Sequence, residues 1–254
     1  MRYYYYVVNA FPPLFLGKKP EMSYEETREM ILMNLSAHDL EQLVEFQRPT
    51  DLRNIRALWL QEPLDPRGNF SDLELEEALL VGEGLPFFVI DFVQKYESEE
   101  DRLRYFSSLY ASLYSQGKRL GGFNRSYYRI EREIRLVLTA LRAKSTGRPL
   151  IPELQFEDPT DPFIAELIAE AESREFLVPQ EYEALKTAFL ENRSKPKELY
   201  RALLEFRMKC IQELESEDPF GMGQVLGYLA RLILIEDWDR LDQKKGRTAL
   251  EQVS

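Results

Sequence analysis

Apolar residues along this chain recur at steps of three and four, the spacing that keeps one side of a 3.6-residue helix facing a core. Met30, Ile31 and Leu35 follow it, as do Leu52, Ile55, Leu58 and Trp59, and Leu103, Phe106, Leu109, Tyr110 and Leu113. Prolines and glycines punctuate the runs, and no alternating strand pattern is seen beyond the first residues. The spacing predicts an all-α chain of about ten helices.

Helix starts are legible. Ser23 with Glu26, and Ser71 with Glu74, have capping-box spacing. A helix is predicted from Ser36 to Phe46, with Pro49 breaking it before another over 51–60. Later helices are expected at 99–116, 162–173, 179–192, 196–215 and 223–235, followed by a charged tail. The proline-rich stretch LIPELQFEDPTDPF reads as a linker. Residues 3–8, YYYYVV, favour a short strand by local propensity. A lone strand has little to pair with, so a helical or extended form stays open.

The chain holds 33 Lys and Arg against 44 Asp and Glu, a formal net charge of −11. Nucleic-acid binding usually needs the opposite field, so that class is set aside. Cys210 stands alone, forms no intramolecular disulfide and reads as a small apolar residue on a helix face; a reducing cytoplasm fits. LPFFVIDFV and VLGYLARLILI are too short to cross a bilayer. The N-terminus has two prolines inside its apolar run and no small-residue cleavage site, which argues against a signal peptide.

Little here carries chemistry. His38 is the only imidazole, which excludes a His-rich zinc site and a di-iron bundle pattern. No motif joins it to Cys210. The many glutamates read as solvated helix faces. Gly221-x-Gly223 lacks the third glycine and preceding strand of a dinucleotide site. The YYYY run reads as packing rather than a base-stacking platform. No catalytic residue, metal or cofactor is expected.

One stretch stands out in so acidic a chain. EIRLVLTALRAKSTGRP ends a helix on Arg142, Lys144 and Arg148. Cations near a helix C-terminus meet its exposed carbonyls favourably. Gly147 suits a left-handed cap, and Pro149 cannot continue the helix. The three cations are also a candidate docking patch for an acidic surface.

LTALRAKSTGRP resembles the LRAKxxGxP helix ends of the C/d-type central-stalk family of the V-type (A-type) ATPases. EALKTAF, DPFGMGQVLGYL and RNIRALW resemble further helices of that family, and the N-terminus resembles a shorter bacterial branch of uncharacterised proteins associated with V-type ATPase components. The resemblance implies a funnel of similar helical lobes in pseudo-threefold arrangement, with lobes at 1–98, 99–150 and 151–254. It implies a non-catalytic central-stalk adaptor, monomeric when isolated. Its partners would be the rotor shaft and the membrane rotor ring, at the cytoplasmic face of the membrane. Arg53, Arg56, Arg142, Lys144, Arg148 and Lys186 are the candidate partner-binding residues. A faint repeat among RNIRALW, EALKTAF and LVLTALR agrees with such lobes. The alternative is a helical scaffold or regulator of the same fold without rotor-ring binding; an enzyme of unrecognised type is the third reading.

Overall fold

The computed structural model describes residues 4–171, 173 and 176–251. Among the described residues the chain is all-α, with no strand. The helices are α1 (Tyr5–Ala10), α2 (Tyr24–Leu32), α3 (Ala37–Trp59), α4 (Asp72–Val81), α5 (Phe87–Lys95), α6 (Glu99–Arg104), α7 (Ser107–Gly117), α8 (Gly122–Thr146), α9 (Leu150–Glu153), α10 (Pro162–Ala169), α11 (Glu183–Asn192), α12 (Pro196–Ser216) and α13 (Met222–Glu251). The chain divides into two compact units, residues 1–40 with 178–254, and residues 41–177. The lobe boundaries expected at 98/99 and 150/151 both lie inside the second unit.

The first unit is built on a helical hairpin. Pro196 opens α12, where its missing amide costs nothing. α13 folds back along α12: Tyr200 stacks on Trp238 at 6.2 Å near one end, and Glu215 meets Arg231 near the other. α11 packs on α12, and α2 on α13. The N-terminal segment lies along α13. Phe11 stacks on Tyr228 at 4.1 Å, the Tyr228 hydroxyl donates to the Pro12 carbonyl, and the Tyr4 amide donates to the Phe220 carbonyl.

Residues 5–10 are therefore helical, and the short strand favoured by propensity is not formed. A strand would leave its amides without a ladder, whereas a helix pairs them internally. Val7 is buried, and the Tyr4 hydroxyl reaches the Asp39 carboxylate. The helix predicted to end near 235 also continues, to Glu251.

The second unit has a core drawn from α3, α4, α5, α7 and α8, including Leu52, Ile55, Leu75, Val89, Phe92, Phe106, Leu109, Leu113 and Tyr128. Trp59 stands edge-on to Phe106 and stacks near Phe92. Both predicted capping boxes form, Ser23 with Glu26 in the first unit and Ser71 with Glu74 here.

Pro49 does not break its helix: α3 runs unbroken through it. A proline inside a helix removes one amide donor and orphans the carbonyl four residues back. Here that carbonyl, of Glu45, accepts from the Tyr128 hydroxyl at 2.5 Å. The predicted 99–116 helix is two helices, α6 and α7. Gly121 stands at the N-cap of α8, and the Asn124 amide donates to the Gln42 carbonyl. The stretch expected as a linker is packed into this unit: Leu150 and Leu154 are buried, and Asp161 caps α10.

Candidate functional site

Most buried polar chemistry of the second unit lies where the loop 61–70 crosses α3. Gln47, Asp51 and Asn54 fall at i, i+4 and i+7, on one face of the helix. Asn54 exchanges two bonds with the Asp65 backbone, its amide donating to the carbonyl at 2.9 Å and its oxygen accepting from the nitrogen at 2.8 Å. Gln47 donates to the carbonyls of Arg67 and Gly68. Asp51 accepts from the Asn69 backbone at 2.7 Å and from the Asn69 side chain at 2.6 Å. The Arg67 guanidinium forks onto Asp65 within the loop.

Gly68 is the contact point: a Cβ there would lie 2.8 Å from Asn54 Nδ2 and 2.9 Å from Asp51 Oδ1. Burial pushes the Asp51 carboxyl up to about 6, against the pull of its bonds from Asn69. Burial also raises the Asp65 carboxyl, but bonds and charge from Arg67 outweigh it and hold it below its ordinary value. Side chains thus satisfy a tight loop whose own backbone forms no regular ladder.

A second network ties the 154–161 segment to α8. Arg132 donates to Glu157 at 2.8 and 3.0 Å, and Arg135 reaches the other Glu157 oxygen. Asp161 takes Arg132 at 3.3 Å and Lys118 at 3.0 Å. A cleft of about 420 Å³ opens beside it, lined by Ser108, Ser112, Lys118, Arg132, Glu157 and Asp158 among others. In the first unit the buried Glu215 accepts from Arg231 at 2.7 Å, and Gln224 lies 3.4 Å away. Burial outweighs Arg231 and raises the Glu215 carboxyl. Gly227 leaves room for this, since a Cβ there would meet the Glu215 stem at 2.3 Å.

The sequence-predicted site residues are divided between the two units. Arg53, Arg56, Arg142, Lys144 and Arg148 are exposed in the second unit, and Lys186 belongs to the first. Arg53 is bonded to the Thr50 hydroxyl, and Lys186 pairs loosely with Glu183 at 3.5 Å. The basic end of α8 closes its helix as the sequence suggests. Gly147 is left-handed at φ 67°, and the Arg148 amide returns to the Ala143 carbonyl in a Schellman closure. The Lys144 ammonium donates to the Ala171 carbonyl, and Arg148 pairs with Glu153 at 2.8 Å.

Among the described residues no group of three or more His, Cys, Asp or Glu could hold a metal. None of their helices is long and apolar enough to cross a membrane.

The match of the chain to known families decides its kinship. A family model described as "Protein of unknown function (DUF2764)" matches residues 1–253. The chain belongs to the DUF2764 family. It is similar to uncharacterized proteins of Chlamydia pneumoniae (24% identity, covering 98% of this chain and 97% of the relative) and Chlamydia muridarum (21%, 97% and 96%). A third, from Chlamydia trachomatis, is 20% identical over 91% of this chain and 89% of its own length. No solved structure matches.

Membership in DUF2764 corrects the resemblance to the C/d-type central-stalk family of the V-type ATPases. The family model spans nearly the whole chain, and neither it nor the chlamydial relatives carries that family's name. Local physics accounts for the misleading motifs. In this DUF2764 chain Gly147 supplies the left-handed residue that a Schellman-closed helix end needs, and Pro149 keeps the helix from continuing. Two glycines of DPFGMGQVLGYL answer to close approaches: a Cβ on Gly221 would lie 1.8 Å from Asp218, and one on Gly227 2.3 Å from Glu215.

Proposed function

We propose that this DUF2764 protein is a non-catalytic helical scaffold, acting through contact with other proteins. The observation that carries the reading is the state of the four acidic residues that are buried as a whole among the described residues. Asp39, Asp51, Glu133 and Glu215 each face a donor from the chain itself: Tyr4 and Ser36, Asn69, Arg129, and Arg231. An acid or base must instead present a lone pair or proton to a substrate. Carboxylates spent on bracing loops and helices suit a body that holds its shape while its surface is read. The central-stalk role lost its family support with the resemblance, and the scaffold reading needs none.

The test is native co-purification of the tagged full chain, followed by reconstitution with each recovered protein made separately. A stoichiometric complex that Asp51→Asn leaves intact is expected. A chain that joins none of them, and shows a turnover that Asp51→Asn abolishes, would overturn the reading.

A further inference from the structure

α4 carries apolar side chains on both sides. Leu75 and Ala78 are buried in the core of the second unit. At 3.6 residues per turn, Leu73 and Leu80 lie about 160° and 140° round the helix from Leu75, on the far side. They are 74% and 87% exposed, and Val81 beside them is 59% exposed. Neighbouring exposed apolar side chains rimmed by charge mark an interaction site, where a lone exposed leucine does not. This helix is firmly placed, with a complete capping box at Ser71 and a left-handed Gly82 closing it. The outward leucines are therefore a fixed feature of the surface. Seven residues separate them, about 10.5 Å along the axis, two turns of a partner helix.

The charges that α4 itself carries have one sign, and a cation, Arg48, donates to the Gly84 carbonyl at 3.4 Å beyond the C-terminal end of the helix. Glu76 and Glu77 flank the Leu73–Leu80 stripe, and Asp72 and Glu83 stand at its two ends, all exposed. Between Arg67 and Lys95 the sequence has six carboxylates and no Lys or Arg. Such a rim repels nucleic acid and anionic lipid alike. A second copy presenting the same face would set like charges against each other, which costs affinity.

We infer that the outer face of α4 docks a basic amphipathic helix of a partner protein, its apolar stripe on Leu73, Leu80 and Val81 and its lysines or arginines against Glu76, Glu77 and Glu83. The inference rests on the scaffold reading and names the partner's chemistry. Apolar contact supplies the affinity, and the acidic rim sets orientation and encounter rate.

The probe is a fluorescein-labelled, 20-residue helical peptide with leucines along one stripe and lysines elsewhere, titrated against the full chain by anisotropy. A peptide of the same charge with serine for leucine is the control. The leucine peptide should bind and slow amide exchange in α4. Leu73→Ser with Leu80→Ser should weaken it by about tenfold or more, with the melting temperature unchanged. Equal binding of the two peptides, or equal binding by the double variant, would overturn the inference.

Vesicle binding, or self-association, that the same double variant abolishes would overturn it in favour of a lipid surface or a second copy. The scaffold reading is scored separately: a reconstituted complex indifferent to the double variant keeps the scaffold and removes α4 as its docking face.

Discussion

The Tyr128 hydroxyl of α8 donates to the Glu45 carbonyl of α3, the one acceptor that Pro49 leaves without its helical amide. Burial and the nearby Glu45 charge push the phenol well above its ordinary value, so it keeps the proton it donates. Tyr128→Phe leaves a partly buried carbonyl without this partner and should cost about 1–2 kcal/mol in urea unfolding. Pro49→Ala supplies an amide to the same carbonyl. In that background Tyr128→Phe should cost less, with a coupling of about 1 kcal/mol in the double-mutant cycle. Strict additivity would dissociate the tyrosine from the proline.

Tyr128 also leans on Gly117. A Cβ at 117 would stand 2.5 Å from the Tyr128 ring, and that ring is fully buried with nowhere to retreat. Gly117→Ala is therefore expected to destabilise by about 1–3 kcal/mol despite alanine's better helix propensity. Thermal unfolding measures it, and a stabilised variant would contradict the close contact.

Asp51 predicts a pH dependence. Its folded carboxyl titrates at about 6 against an ordinary 3.8, because burial disfavours the charge. The folded chain thus holds this proton more tightly than the unfolded one. The contribution is full below pH 4 and is lost as pH rises through 6, about 3 kcal/mol in all. Bonds from serine or threonine lower Glu26, Glu74 and Asp158, which act in the opposite sense. The comparison is therefore wild type against Asp51→Asn. Their difference in unfolding free energy should shift in favour of the variant between pH 4 and pH 6.5. Parallel pH profiles would show that Asp51 does not titrate in this range.

Helix identity was legible in this sequence because it depends on spacing and caps. Ser23–Glu26 and Ser71–Glu74 were readable from four letters each, since both bonds of a capping box are local. Pro49 misled because what rescues the helix, Tyr128, lies 79 positions further along the sequence. YYYYVV misled because strand propensity supposes a neighbouring strand, and none is described here. The clamp around Asp51 was missed, though a signal existed: Gln47, Asp51 and Asn54 interrupt an otherwise apolar helix side at i, i+4 and i+7, shortly before the turn DPRGN. The basic knob was read correctly as a helix end. Its pairing with Glu153 and the Ala171 carbonyl needed coordinates.

The Glu215–Arg231 pair offers the sharpest separation of charge from shape. It joins α12 to α13 at 2.7 Å, with both side chains mostly hidden from water. Arg231→Met strands a buried carboxylate and should cost about 3–5 kcal/mol near neutral pH. Burial already raises Glu215, and removing its cation raises it further. The deficit should therefore shrink as pH falls towards 4.5 and the carboxyl takes up a proton in both states. Glu215→Met added to Arg231→Met removes the stranded charge, and methionine's unbranched stem can follow glutamate's path past Gly227. That double variant should return to within about 1 kcal/mol of wild type in denaturant unfolding. If Arg231→Met alone is no worse than the double variant, the ion pair does not brace the hairpin, and packing alone holds α12 against α13.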